Sequence, residues 1–484
     1  MLLLRDERTT SRLAYHITRH RDIVRAVAQG TVDLPAVHTV KFAETCRQVL
    51  AADMYRDLLD GPARKALAEF ADRPDPARID EVLSAAGFLG KKAVSARGRE
   101  AFTRPMNEFL HYYESSGTTG DPVPAPKALD DLTVNTINIG EMWARLLRPQ
   151  DVALIMIAAP FAPAGYQFEK VLEYLEVMSF RPAIDNVTGG YGRLLRLIRE
   201  VGANVFVGPA SRLLALVQAN HREGGEPLRF DRLLVMAEQT GPHFLAHIER
   251  LTGATAYVGS YGSSETSTIG VTCEHRSMHV QSQSFLLELE NEHGVSRPTA
   301  GRHRGELVVT TLDIPSRPLL RYRTGDLVEI DYESGCACGL ALPVLRTLGR
   351  TQDVLLYDNR GIDQDAVEQA LWTHEGTDPD VFNYMLVVRG DEVLCLITAN
   401  TGGESDADRA WHSRLEQRLA PLFPKHTVRI RQVDVLPPLA GLGSYLGWKL
   451  SRVLDLDDAA NWDRLPGPIR DVVHTSLAQI SSLD

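Results

Sequence analysis

The sequence predicts an α/β fold, a large N-terminal body of sheets covered by helices followed by a small α+β C-terminal domain. Three observations carry that expectation. From residue 150 onward short β-rich runs alternate with amphipathic helical segments, from about 280 period-two patterns dominate, and near Gly349 a new strand and helix order begins. Alternation of the first kind is the mark of parallel strands buried under helices, and the second that of antiparallel strands.

The elements follow in order. Residues 1–105 read as mainly helical, because KFAETCRQVLAADMYRDLL and PARKALAEFA place apolar residues three and four apart, with breaks at DGP and DRPDP. VALIMIA, NVFVG, RLLVMAE and ATAYVGSYG then read as strands, and YGRLLRLIREVG and ASRLLALVQAN as the helices between them. A β-rich region spans 270–345, where QSFLLELE, GELVVTTL and GDLVEI are separated by turns at ENEHG and YESG. The body is expected to cover 1–349. The C-terminal unit, 350–484, reads as strand (DVLLYD), helix (DAVEQALWTH), two strands (YMLVVRG, EVLCLITA), helix (ADRAWHSRLEQRLA) and strand (TVRIRQVDVL).

Composition bounds the function. The 484 residues carry 52 basic and 63 acidic side chains, a formal charge of −11, and 44% apolar content. That suits a globular protein of about two to four domains and excludes collagen-like, coiled-coil or wholly disordered chains. With no basic run, a nucleic-acid partner is not expected. MLLLRDERTT is too short for a signal peptide, and no stretch of 18 uncharged residues occurs, so the expectation is a cytoplasmic protein without a membrane partner. Five cysteines are too few and odd in number for a disulfide framework.

Three loops carry candidate chemistry. In the first, Ser115, Ser116, Gly117, Thr118, Thr119 and Gly120 follow an apolar-aromatic run; glycines allow a tight turn with inward N–H groups, suited to polyphosphate oxygens. A flexible Ser/Gly linker has the same composition. In the second, Gly259, Tyr261, Gly262, Ser263, Ser264, Glu265 and Thr266 follow a strand, where α/β sheets bind ligands. Its aromatic face, hydroxyls and carboxylate could serve adenine, phosphate and magnesium; a plain turn is the alternative. In the third, Asp326 of RYRTGD could accept hydrogen bonds from a ribose diol or simply end a strand. A fourth group, Cys273 with His279 and Cys336 with Cys338, offers four zinc ligands by spacing. Buried cysteines and a surface histidine fit the same spacing, and His275 could replace His279. Cys46 and Cys395 read as core residues.

Taken together, the loops resemble the adenylate-forming superfamily of acyl-coenzyme A synthetases, adenylation domains and luciferases, in which a Ser/Thr/Gly-rich loop, a Tyr-Gly-x-x-Glu loop, a Thr-Gly-Asp turn and a Gly-Arg hinge recur in this order. The hinge is Leu348-Gly-Arg-Thr-Gln-Asp353. Over residues 110–455 the wording is most similar to the phenylacetate-coenzyme A ligase branch, through SYGSSETSTIGVTCEHRSMH, LLRYRTGDL, CACGLALPVLRTLGRTQDVLL and KLSRVLD; the first hundred residues have no obvious match.

The resemblance implies that Ser115–Gly120 close over the β- and γ-phosphates of ATP, that Tyr261 stacks on adenine, and that Ser264 touches the α-phosphate. Glu265 would hold magnesium, Asp326 the ribose hydroxyls, and Arg350 would reach the nucleotide from the hinge. Met236, Ala237 and Glu238 would line the adenine pocket. Lys449 would bridge the carboxylate and the α-phosphate during adenylation. Phe161 and Tyr166 fall where the acid is enclosed, and the Cys/His set would bind a structural Zn2+. The C-terminal domain would be mobile, rotating after adenylation.

Three departures stand out: Asp121 replaces a lysine beside the phosphates, leaving Lys127 or Arg104 as possible replacement cations; Gln352 replaces the usual hinge Asp or Lys; and the segment from Arg360 to Asp363 is about two residues short. The expected function is therefore ATP- and Mg2+-dependent activation of a carboxylic acid, aromatic by resemblance, with transfer to coenzyme A. A carrier-protein pantetheine or an amine is the alternative acceptor, and a zinc-stabilised, non-catalytic nucleotide-binding protein the alternative from another class.

Overall fold

Asp6, Asp33 and Asp60 each accept a hydrogen bond from the backbone N–H three residues on, and the helices Glu7–Ala28, Leu34–Ala51 and Gly61–Asp72 start there. Such caps satisfy donors that a helix start leaves unpaired. The second and third of these helices pack through Phe42 and Phe70, whose ring centroids are 5.0 Å apart. Cys46, Val49 and Leu67 join them in one core with Leu286, Leu319 and Tyr322. The divergent N-terminal helices thus share their hydrophobic core with the sheet that carries the third sequence motif.

The computed structural model describes residues 6–115, 123–157, 163–182, 191–350, 355–357, 360–362, 364–402, 405–437, 453–457, 462–463, 465 and 467–481. They form two compact units, one of residues 1–151, 159–179 and 258–351, the other of 152–158, 180–257 and 352–484.

In the first unit lies an eight-stranded sheet in the order Gly294–Ser296, Phe285–Asn291, Arg302–Thr311, Tyr322–Asp331, Val344–Arg350, Met278–Val280, Ser267–Thr272, Ser260–Ser263. Its ladders are antiparallel, as the period-two patterns require. Ile269, Leu287, Leu307, Val309, Val328 and Leu345 supply the apolar core of one face. Between Tyr322–Asp331 and Val344–Arg350 the register shifts: Asp326 pairs with Arg350, but Val328 pairs with Thr347. The strand Val344–Arg350 therefore carries one extra residue, at Leu348 and Gly349, and Gly349 takes the positive φ of 98° that this bulge calls for.

The second unit holds a five-stranded sheet, Met178–Phe180, Val152–Ile155, Val205–Gly208, Arg232–Val235, Thr255–Val258, whose central pairs are parallel. Its middle strands are buried along their length, which explains why they read as unbroken apolar runs. The C-terminal segment folds as expected into strands Val381–Arg389 and Glu392–Ala399, helix Asp406–Leu419 and strand Thr427–Gln432. Two elements escaped the sequence reading: strand Val453–Asp455, which adds in parallel to Val381–Arg389, and helix Gly467–Ser481. Within this unit the aromatic ring of Trp372 stacks on His247, centroids 4.7 Å apart, and meets Phe244 at 4.5 Å. Arg250 pairs with Asp380, and Asp365 accepts a hydrogen bond from the backbone N–H of His243 at 3.1 Å and bonds the His243 ring at 2.9 Å.

Candidate active site

The Tyr-Gly-x-x-Glu motif is a hairpin between Ser260–Ser263 and Ser267–Thr272. Gly262 is required there, because a Cβ at that position would lie 2.2 Å from the Ser267 carbonyl oxygen. Ser263 Oγ accepts from the Thr266 N–H at 3.1 Å and meets the Thr266 hydroxyl at 3.0 Å, closing the turn locally. The turn leaves Tyr261, Ser263 and Glu265 on the wall of one cavity, opposite Thr324 and Asp326 of the Thr-Gly-Asp motif. Thr324 Oγ1 accepts from the Asp326 N–H at 3.1 Å, and the Tyr261 hydroxyl donates to Asp326 Oδ2 at 2.7 Å. Two motifs some sixty residues apart in sequence thus share one polar cavity. Its donor set of carboxylate and hydroxyl oxygens is of the hard type that suits Mg2+.

A cation also reaches this cavity, from a place the sequence reading did not single out. Lys91 lines it, with Nζ 3.9 Å from Glu265 Oε1. The fold brings it there by pairing Leu89 with the strand edge: the Leu89 N–H donates to the Arg321 carbonyl at 3.0 Å, and the Arg323 N–H to the Leu89 carbonyl at 2.9 Å. Nothing in the local wording of LGKKAVS signals that pairing. The two cations proposed to replace the one lost at position 121 have other tasks. Arg104 pairs with Asp130 at 3.1 Å. Lys127 is buried, with Nζ 3.0 Å from Ser267 Oγ and 3.2 Å from the Ser264 carbonyl, and burial pushes its pKa down to about 8.

The thiol set converges. Ligand atoms of Cys273, His279, Cys336 and Cys338 all lie within 4.8 Å of one another, and the two sulfurs of Cys273 and Cys336 are 3.8 Å apart. Zn–S bonds of about 2.3 Å at the tetrahedral angle put two sulfurs about 3.8 Å apart, so the residues fit that ion. His279 turns Nε2 to the Cys338 sulfur at 3.2 Å and engages the Leu342 carbonyl through Nδ1 at 3.0 Å, the outer contact that orients a ligating imidazole. His279, rather than His275, is the histidine of the cluster. Cys46 and Cys395 are fully buried core residues.

No protein-family model matches the chain. The phenylacetate-coenzyme A ligase of Thermus thermophilus is 28% identical over 391 residues, covering 73% of this chain and 82% of that protein. The Escherichia coli phenylacetate-coenzyme A ligase is 28% identical over 244 residues, 48% of this chain and 53% of that one. A crystal structure of 2-hydroxyisobutyryl-CoA ligase, in the postadenylation state with 2-HIB-AMP, covers 91% of both chains with a TM-score of 0.68 at 17% identity. The same ligase in its thioesterification state, with 2-HIB-AMP and CoA, gives a TM-score of 0.57 at 19% identity, over 87% of this chain and 89% of that one.

The chain is similar to phenylacetate-coenzyme A ligases and has the fold of a solved acyl-CoA ligase.

The superfamily's remaining landmarks fall unevenly on the described residues. Ser115 opens the Ser/Thr/Gly-rich segment; its N–H donates to the Val123 carbonyl and its Oγ accepts from the Val123 N–H, each at 2.9 Å. Ser116, Gly117, Thr118, Thr119 and Gly120 lie outside the described residues, as do Asp121, Phe161, Gln352, Asp363 and Lys449; of Arg350 only the backbone is described. Gly259 accepts a hydrogen bond from the Trp143 indole at 3.2 Å, which ties the hairpin's base to the helix Leu129–Trp143. In the other unit Ala237 adopts a φ of 70°, costly for a residue with a side chain. Glu238 accepts from Ser211 N–H and Oγ, both at 2.7 Å, and so caps the helix Ala210–Arg222. Tyr166 stands 4.2 Å from the His111 ring, centroid to centroid, and lines an apolar pocket with Leu132, Ile137 and Tyr174.

Proposed function

We propose that this adenylate-forming ligase activates a carboxylic acid as its acyl-adenylate, at the expense of ATP, and passes the acyl group to coenzyme A. The observation that supports this reading most strongly is the shared cavity of Tyr261, Glu265 and Asp326. A carboxylate attacking a triphosphate brings two anions together, so catalysis depends on positive charge placed where negative charge grows. Lys91 and the C-terminal Lys449 are the assigned cations, Asp326 grips the ribose diol, and Ser264 sits at the α-phosphate. Mg2+, held by Glu265, would neutralise charge on the phosphates. Zn2+ on the Cys/His cluster leaves no open ligand position and would be structural.

The apolar cavity beside Tyr166 favours an aromatic acid, since its wall offers rings and methyl groups rather than polar contacts. Transfer to a carrier-protein pantetheine or an amine stays in the reading because of the short crossing after the hinge: strand Arg360–Ile362 is followed by helix Gln364–Trp372 with only one residue between. Pyrophosphate exchange into ATP, run over a panel of carboxylic acids headed by phenylacetate, tests the adenylation step. A signal with some acids is expected, and silence across the panel would remove the proposal. Repeating the positive reactions with coenzyme A, amines and hydroxylamine identifies the acceptor. Lys449→Ala should lose exchange while retaining ATP binding.

A further inference from the structure

Two buried cations grip the backbone of the Glu265 turn from behind. Arg317, 1% exposed, donates through one guanidinium nitrogen to the Pro124 carbonyl at 2.8 Å and through the other to the Glu265 carbonyl at 2.7 Å and the Ser264 carbonyl at 3.4 Å. Lys127, 5% exposed, reaches the same Ser264 carbonyl and the Ser267 hydroxyl. Pro124 and Lys127 belong to one extended segment that forms isolated bridges with Glu114 and His111, so both cations join that segment to the Glu265 turn. Asp131 lies close enough for its charge to favour the ionised forms of both; its Oδ2 accepts from the Ala128 N–H at 2.8 Å and from the Ser316 hydroxyl. Burying two cations to bind carbonyls is costly unless each donor is satisfied. A hairpin that needed only to be a hairpin would hold its shape with its own ladder.

We infer that Lys127 and Arg317 are positioning residues for the metal: they fix the backbone of Ser264 and Glu265 against the segment that holds Pro124 and Lys127, so that the carboxylate meets Mg2+ in one geometry. The inference rests on the reading of Glu265 as the metal-holding residue. It assigns no contact between either cation and the nucleotide.

The test uses Mn2+ as a spectroscopically visible stand-in for Mg2+, followed by electron paramagnetic resonance on the full chain with and without ATP, and needs no knowledge of the acid. Lys127→Met is expected to weaken Mn2+ binding in the presence of ATP about tenfold, more than it weakens metal-free ATP binding; Lys127→Arg should restore most of it. Arg317→Lys, which keeps charge but loses the fork, should act in the same direction. A folded Lys127→Met protein with wild-type Mn2+ affinity overturns the inference alone. If instead the wild-type chain shows no Mn2+ binding that depends on ATP, the metal-holding reading of Glu265 falls, and the inference with it.

Discussion

The hydroxyl of Tyr261 donates to Asp326 Oδ2 at 2.7 Å, so the residue assigned to stack on adenine also orients the carboxylate assigned to the ribose. One ring can do both, because its face and its hydroxyl point in different directions. The bond holds the carboxylate in one rotamer before any nucleotide arrives, which lowers the ordering cost of binding.

Tyr261→Phe should therefore weaken ATP binding although the stacking face survives. A hydrogen bond to a charged group contributes about 1.5 to 3 kcal/mol, and since Asp326 keeps access to water the effect is set at the low end, roughly tenfold in Kd. Asp326→Ala should cost more. Isothermal titration with ATP reads both, and a phenylalanine variant with wild-type affinity would deny the bond any role.

Elemental analysis of purified protein is expected to give about one zinc per chain. Cys336→Ser should lower both zinc content and melting temperature, since a tetrahedral site formed only in the folded chain adds its binding free energy to stability. A metal-free protein that melts at the same temperature as the zinc-loaded one would exclude the site.

Acid should destabilise the protein earlier than carboxylate titration alone predicts. Burial holds the His20 and His38 imidazoles down to about 4 from an ordinary 6.5. A depressed folded pKa means that the unfolded chain takes up protons first, so their contribution is intact above pH 6.5 and drains away as pH falls from 6.5 to 4. Each accounts for at most about 3 kcal/mol across that window. His38 donates through Nε2 to the Ser282 carbonyl at 2.6 Å, and His38→Gln keeps a donor while removing the titration. Its melting temperature should fall less steeply between pH 6.5 and 4 than that of the wild type.

Gly241→Ala should loosen the C-terminal segment from the helix Pro242–Thr252. A Cβ there would lie 2.3 Å from Asp365 Oδ1, the oxygen that caps this helix through the His243 N–H. Losing a cap costs about 0.5 to 2 kcal/mol. In thermal melts the double variant Gly241→Ala, Asp365→Ala should be no less stable than Gly241→Ala alone, because the cap is lost once; additive losses would contradict this coupling.

Much of the fold was legible because strands buried on both sides leave continuous apolar runs, as in RLLVMAE and NVFVG, and half-exposed ones alternate. Val453–Asp455 was not, since three residues joining an existing sheet from a distance leave no periodic trace. At the site, the cavity-lining Tyr261, Glu265 and Asp326 stood in motifs dense with Gly, Ser and Thr. Lys91 and Arg317 did not: a lysine or arginine in isolation reads as a solvated surface charge, and only the tertiary pairing of Leu89 and the burial of position 317 give these two their places; Lys127 was legible as a cation, but not as one buried against the Ser264 carbonyl. Glu238 caps the helix Ala210–Arg222 through Ser211, a task that the sequence did not signal.

The extra residue at Leu348–Gly349 sets a parity. Side chains in a strand alternate between faces, so every position after the bulge points opposite to where an unbroken ladder would send it. Arg350 pairs with Asp326 through its backbone directly after the bulge, and the break between the two compact units comes one residue later. Deleting Gly349 would therefore do more than shorten a strand: it would remove the extra residue and break the backbone pairing of Arg350 with Asp326.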